Sequence, residues 1–262
     1  MDLYKPTFVP LAPGQALVAV RGREPAGHSS APHQHPEGQL IGSRKGLLTV
    51  GTAAGMWVVP ATHAVWLPPH HVHWARSHGP MDGWTVYVGE NACGRLPEKT
   101  CTIRTSGLLT EAVLRAAAWS VGTRSAADDR VAGVILDEIG ALPVEPFGLP
   151  LPRDPRILRV AQALVDDPAD TSGIGHWAVL ASISERTLSR RFVEETGFSF
   201  TSWRQRARML RSLEMLANGQ PVTTLALDLG YSTASAFIAV FRRAFGETPA
   251  SYRAKLFDFG HP

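Results

Sequence analysis

The chain has 262 residues, 44% of them hydrophobic and 19% charged, proportions of ordinary globular protein with length for two modest domains. No basic segment followed by an apolar stretch opens it, and no run of about 18 apolar residues occurs, so neither export nor membrane spanning is expected and the cytoplasm is the default compartment. Cys93 and Cys101 are too few for a disulfide framework and lack the C-x-x-C spacing of a redox or zinc motif.

Up to about Gly89, Gly, Pro and His break the sequence into short runs rich in β-branched and aromatic residues: Ala16–Val20, Gln39–Ile41, Leu47–Val50, Met56–Val59, Ala64–Leu67 and Trp84–Val88. Short strands separated by turn signals predict a sandwich or barrel. Trp57, Trp66, Trp74 and Trp84 fall within it as core residues, with one or two available to line a cavity. Eight of the ten histidines also lie here. His33 and His35 alternate, which puts both imidazoles on the same face of one strand, with Gly27 and Gly46 at the flanking turns. Gln39 follows at the end of the pattern, and His73, five residues after Pro68, supplies a third imidazole. Three neutral imidazoles suit Zn, Ni, Cu or Fe, while Gln39 can ligate through its carbonyl oxygen without adding charge. A metal-free pocket holding an organic effector, or histidines kept as hydrogen-bonding core, are the other readings of the same residues. His70 and His71 read as loop residues.

From Ser106 the texture changes to two helical stretches, Leu108–Ser120 and Ala126–Leu142, in which Val131, Val134, Ile135, Leu136 and Ile139 recur near helical spacing. They read as a two-helix connector whose apolar face offers a dimer contact. Leu142 to Pro155 carries Pro143, Pro146, Pro150, Pro152 and Pro155, a stiff linker that helices do not cross.

The charge excess lies beyond this point. Residues 1–152 hold 12 Lys+Arg against 12 Asp+Glu, whereas 153–262 hold 14 against 11, and 13 of those 14 cations are Arg. Arginine's planar fork suits bidentate bonding to phosphate and to guanine edges. The same region contains an internal repeat. A shift of 49 residues lays Leu188 on Phe237, Phe192 on Phe241, Gly197 on Gly246, Ser199 on Thr248, Trp203 on Tyr252 and Arg204 on Arg253. Upstream the register slips to 48, laying Ala178 on Ala226 and Ser184 on Ser232, as one extra residue in a turn requires.

Each copy reads as a short helix with a small residue (Ala178, Ala226), a tight turn, and a second helix opened by Ser184 or by Ser232 before Thr233 as N-cap. In the first copy Leu188 and Phe192 share one face, leaving Arg186, Thr187, Ser189, Arg190 and Arg191 to reach DNA. In the second, Phe237, Val240 and Phe241 face inward. Ser232, Thr233, Ser235, Ile238, Ala239, Arg242 and Arg243 are left outward, a set poorer in base-reading groups but suited to phosphate. The stretch from Phe200 to Asn218, roughly 27 Å as a helix, is expected to hold the two units about one DNA turn apart.

The segment Arg156–Leu256 resembles the AraC/XylS regulators, most specifically in SERTLSRRFVEETG (184–197), FSFTSWR (198–204) and LGYSTASAFIAVFRRAFGETPASYR (229–253). The resemblance implies two helix-turn-helix motifs joined by a long helix, with Arg186, Ser189 and Arg190 at base-contacting positions. Ala234, Ile238 and Ala239 depart from the polar residues usual in the second motif. Residues 10–90 resemble the two cupin motifs, in whose metal-binding members two histidines, a carboxylate and a later histidine hold one divalent ion; Gln39 stands where the carboxylate would be.

The expected architecture is therefore α+β in two domains: a cupin-like β-barrel sensor over residues 1–105, a helical connector over 106–142, a linker over 143–155 and an all-α DNA-binding domain over 156–262. The two helix-turn-helix units fall at about 174–196 and 223–245. The expected function is sequence-specific transcription regulation answering to a small molecule or metal in the barrel, without catalysis. Double-stranded DNA, that effector, RNA polymerase and a second copy of the chain are the partners, with no membrane. The competing reading is a metal-dependent cupin enzyme carrying a DNA-binding tail.

Overall fold

The computed structural model describes residues 11–257 apart from Pro13, residues 120–123 and Pro146. The expected helix end at Ser120, the linker residue Pro146, and the outermost residues of both expected domains fall outside these. The chain divides into two compact units, the first built mainly from residues up to 148 and the second mainly from 149–255.

In the first unit the strands are β1 (Leu17–Glu24), β2 (Gly38–Thr52), β3 (Gly55–Pro60), β4 (His63–Leu67), β5 (His73–Val88), β6 (Cys101–Arg104) and β7 (Val144–Glu145). The hydrogen-bonded order is β1-β5-β2-β4-β6-β7, with β3 against β2. Its pairings are antiparallel, β1 lying on β5 from Leu17↔Val88 to Glu24↔Met81. The barrel anticipated from the sequence is thus a sheet with β1 and β7 at the ends of its pairing order. Long β2 and β5 are its spine, and their ladder is irregular between Ser43 and Leu47.

Alternation along the strands creates two apolar faces. One carries Ile41, Leu48, Val50, Val65, Leu67 and Met81. The other carries Leu17, Leu40, Trp66, Trp84, Val86 and Val88. Gly38 and Gly42 are small for a reason on this second face: a Cβ on either would come within 2.3 Å of the indole of Trp66 or Trp84. Helices α1 (Gly107–Ala116) and α2 (Ala126–Ala141) cover it through Leu109, Val113, Ala132, Ile135 and Ile139. Of the residues that marked this pair as a connector with a dimer contact, Ile135 and Ile139 are buried in the unit, and Val131, Val134 and Leu136 are partly buried against it. Ser106 and Ser125 cap them, Ser125 with Asp128 in a reciprocal capping box. The expected linker also carries structure, β7 and the short β8 (Gly148–Pro150).

The second unit is helical: α3 (Pro155–Asp166), α4 (Ile174–Leu180), α5 (Glu185–Thr196), α6 (Phe200–Ala217), α7 (Val222–Asp228), α8 (Ala234–Phe245) and α9 (Pro249–Phe257). Pro155 opens α3 at its first position, where the missing N–H costs nothing, behind the Asp154 cap. The repeat is visible in the backbone. Helices α5 and α8 each have 12 residues, begin behind a hydroxyl cap and end at a left-handed glycine, Gly197 or Gly246. Phe192 meets Trp203 at 5.6 Å and Phe241 meets Tyr252 at 5.7 Å, the same edge-on aromatic contact in each copy.

The slip in register lies after the bonds Ile183 N–H to Ala178 O and Tyr231 N–H to Ala226 O, which still match at 48. Ser232 is the inserted residue. It is therefore Thr233, not Ser232, that caps α8, accepting from the Ala236 N–H at 3.1 Å, as Ser184 accepts from Thr187 in α5.

Each turn needs one left-handed residue, and the copies differ in what fills it: Ser182 at φ 54° and Gly230 at φ 78°. Such a conformation costs a residue with a Cβ roughly 1–2 kcal/mol. Ser182→Gly is expected to raise the stability of the second unit by about 1 kcal/mol, read by urea denaturation. Gly230→Ala, whose Cβ would lie 2.7 Å from the Ala169 carbonyl oxygen, lowers it; equal effects of the two would contradict this account of the turns.

Candidate functional site

His33 and His35 do not lie on a strand. They sit in the irregular segment between β1 and β2, where Pro32 and Pro36 lack the N–H a ladder needs. The segment is nevertheless tied to β5 by two isolated bridges, Ser29↔Arg76 and His33↔His73. At the second, His33 N–H donates to His73 O and His73 N–H to His33 O, both at 2.9 Å. The tie brings His33, His35 and His73 together so that one ring nitrogen from each lies within 4.8 Å of the others.

The rings are held in one orientation. His33 Nδ1 donates to Ala31 O at 2.8 Å, His73 Nδ1 to His71 O at 2.8 Å and His35 Nδ1 to Glu37 O at 2.9 Å. A carbonyl can only accept, so each Nδ1 carries the proton and, in the neutral ring, Nε2 presents a lone pair. Backbone partners of this kind are what orient metal-bound histidines. His73 is 2% exposed, and its Nε2 is buried without a hydrogen-bond partner. Burial holds its pKa down at about 4, against the backbone bond to His71, with His33 and His35 adding to the depression. His73 is thus neutral at physiological pH.

Gln39, on β2 and 6% exposed, places Oε1 3.2 Å from His35 Nε2. An oxygen facing a lone pair is relieved either by turning the amide or by a cation shared between them. Four donors around Zn stand roughly 3.3 Å apart for bonds near 2.0–2.1 Å, against a spread of up to 4.8 Å in the trio. The donor set fits a borderline divalent metal. Glu37 and Tyr87, which the sequence reading did not single out, complete the surroundings. Glu37 Oε2 is buried 3.6 Å from His35 Nδ1, and the Tyr87 ring stands edge-on to His35 at 5.4 Å. The Gln39↔Tyr87 register puts both on one face of the sheet. His70 and His71 occupy the turn before β5, as expected of loop residues.

In the helical unit α5 turns Leu188 and Phe192 inward, each fully buried, and leaves Ser184, Arg186, Ser189 and Arg190 exposed. Thr187 is half-buried, its hydroxyl 2.9 Å from Ser184 Oγ in the cap. Arg191 does not belong to the outer face: its guanidinium meets Asp154 at 2.8 Å and Glu195 at 3.7 Å. Glu195 in turn accepts from the backbone N–H groups of Arg153 and Asp154, locking the start of α3 to α5. Arg190 pairs with Glu194 at 2.7 Å, both side chains more than half exposed. Such a surface pair contributes about 0.2–1 kcal/mol, less than the 1–3 kcal/mol of a bidentate guanine contact, so it is no bar to one.

On α8, Ser232, Thr233, Ser235, Ala239, Arg242 and Arg243 are exposed, Ile238 and Val240 half-buried, and Phe237 and Phe241 fully buried. Helix α5 carries three Arg against three Glu, whereas α8 carries Arg242 and Arg243 with no acid. The first is charge-balanced and rich in donors; the second is cationic. Other arginines of this unit are structural. Arg208 donates to Pro168 O and Asp170 O, and Arg204 to Ser172 O, all at 2.7 Å, fastening α6 to the loop before α4.

A sheet-built unit with a gathered set of imidazoles and a helical unit with paired helix-turn-helix motifs together define a ligand-responsive DNA-binding regulator. Residues 16–167 match the family model described as an AraC-like ligand binding domain, and residues 177–255 match that of a helix-turn-helix domain. The chain belongs to the AraC family of transcription regulators. It is 32% identical over 229 residues to the HTH-type transcriptional regulator NimR of Escherichia coli K12, covering 87% of this chain and 84% of that one. With the HTH-type transcriptional regulator RipA of Corynebacterium glutamicum it shares 35% over 116 residues, 43% of this chain and 35% of the other. Among solved structures, ToxT from Vibrio cholerae aligns over 93% of this chain and 100% of its own at 9% identity and a TM-score of 0.41, a likeness too loose to carry an argument.

Arg190→Ala is expected to relax base preference at its position by about 1–3 kcal/mol, seen as a loss on selected DNA with little change on random DNA. Arg243→Ala weakens both alike and lowers the salt dependence. Binding titrations on the two DNAs over a salt series check this; indistinguishable behaviour of the variants contradicts the division of labour.

Proposed function

We propose that this regulator works in the cytoplasm, reads base edges through α5, anchors on phosphate through α8 and responds to a divalent transition metal held by His33, His35 and His73 with Gln39 beside them. The observation that carries the metal reading is the buried, unpartnered Nε2 of His73 among three imidazoles already fixed through Nδ1. A buried polar atom left without a partner costs about 1–3 kcal/mol, and a cation supplies the partner. An organic effector bound by the same imidazoles is the second reading, supported by the Tyr87 and Gln39 side chains on the same face.

When bound, the metal supplies a positive centre that joins three side chains. His33 and His35 belong to the segment before β2, and His73 to β5. Joining them fixes that segment against β5 more firmly than the bridges Ser29↔Arg76 and His33↔His73 do alone. By linkage, ligation then favours whichever DNA-binding state holds this segment closed. Sensing rather than turnover is favoured because Gln39 brings no charge to the cluster and the relatives are transcription regulators; steady turnover of a substrate with added Fe or Mn would overturn that choice. A regulator of this architecture acts on RNA polymerase, and paired half-sites make a homodimer its working form. None of the described helices is long and apolar enough to cross a membrane.

Titration of the purified chain with Co(II) or Zn, followed by metal analysis, is expected to give one ion per chain. His73→Ala should weaken binding at least about 100-fold, since even outer-shell partners are worth 10–100-fold. Equal binding by the wild type and His73→Ala would overturn the metal reading and leave the organic effector.

A further inference from the structure

Away from the imidazoles, Asp82 on β5 is buried, 4% exposed, with three arginines turned toward it. Arg21 on β1 takes both carboxylate oxygens, Nε to Oδ1 at 3.0 Å and Nη2 to Oδ2 at 2.8 Å. That bidentate fork already balances the charge of Asp82. Burial alone would raise its pKa, but Arg21, with Arg44 and Arg23 behind it, holds it below the usual carboxylate range.

The other two arginines are surplus to that pair. Arg23, the β1 residue directly opposite Asp82, holds Nε 3.6 Å from Oδ2, and Arg44 of β2 holds Nη1 3.7 Å from the same oxygen. Both distances lie beyond a hydrogen bond, and among the described residues neither guanidinium donates one. Arg44 is there because β2 bulges: the ladder passes from Ser43↔Gly83 to Lys45↔Asp82, so Arg44 is the extra residue. Bulges re-aim side chains in this way and gather near binding sites. Three guanidiniums around one carboxylate leave two positive charges converging from β1 and β2. Their side chains are 78% and 41% exposed. Mutual repulsion would spread two free surface cations apart, and a bound dianion would draw them together.

We propose that Arg23 and Arg44, positioned by the Arg21–Asp82 pair and the β2 bulge, form a binding site for the dianionic phosphate group of a small molecule. The site is separate from the imidazole cluster and independent of metal. The two planar forks suit phosphate oxygens, and the net charge of the four residues matches a dianion rather than a halide.

The test is calorimetric titration of the full chain with inorganic phosphate at constant ionic strength, with chloride as the reference ion. The wild type is expected to bind one phosphate per chain, and Arg23→Gln or Arg44→Gln to weaken it about tenfold or more, consistent with a hydrogen-bonded charge contact of roughly 1.5–3 kcal/mol. Both side chains are exposed, so the variants keep the fold, and an unchanged denaturation midpoint confirms it. Equal phosphate affinity in the wild type and both variants overturns the proposal. So does a result in which the variants weaken binding to random DNA while phosphate binding is unaffected, since the anion is then the DNA backbone.

Discussion

The reciprocal pair of backbone hydrogen bonds between His33 and His73 is the constraint on which the sensing unit depends. It pins an irregular, proline-flanked segment to β5 and so brings three imidazoles from two parts of the chain into one cluster. Each ring is then turned by its own backbone carbonyl, at Ala31, Glu37 or His71, until Nδ1 is occupied and Nε2 is left over. One of those nitrogens, on His73, is buried with nothing to bond to. It is the one imidazole nitrogen among the seven buried side-chain atoms left without a partner in the described residues, and groups of this kind are few in native proteins.

The helical unit rests on a different economy, one design used twice. A hydroxyl cap, an inward phenylalanine, a left-handed glycine and an aromatic as the fourth residue of the next helix recur in both copies. Shared cores fix equivalent outer faces, while the outer residues are free to differ. They do so in charge: balanced on α5, cationic on α8. Magnitudes favour this division, because a displaced surface ion pair costs less than a guanine contact gains. Arginines that resemble DNA contacts in sequence divide further by partner. Arg204 and Arg208 bind backbone carbonyls and Arg191 binds Asp154, roles in which a guanidinium's several directed donors matter more than its charge.

The repeat, the Ser184 cap and the two-unit plan were legible in the sequence because they rest on local periodicity and on residue types with one strong conformational use. The three histidines and Gln39 were legible too, though for a reason that proved wrong in detail. Alternation placed His33 and His35 on a strand, whereas Pro32 and Pro36 keep them out of one and isolated bridges tie the segment to β5. Ser232 was misread as a cap because the extra residue of the second turn falls one position earlier than the sequence alignment placed it. Amphipathic spacing in α1 and α2 shows that a face will be buried but not that it meets sheet residues such as Trp66 and Trp84. Glu37, Asp154 and Glu195 were invisible in the same way, since each acts through partners distant in sequence or through burial.

In the proposed regulator the state of the imidazole cluster governs reading of DNA by the helical unit. The most direct test is selection of genomic fragments by the purified full chain at fixed salt, metal-loaded and again with a chelator, followed by sequencing. A defined motif spanning roughly two successive major-groove segments, enriched in one state and diminished in the other, is the predicted result. Identical enrichment in both states would contradict it.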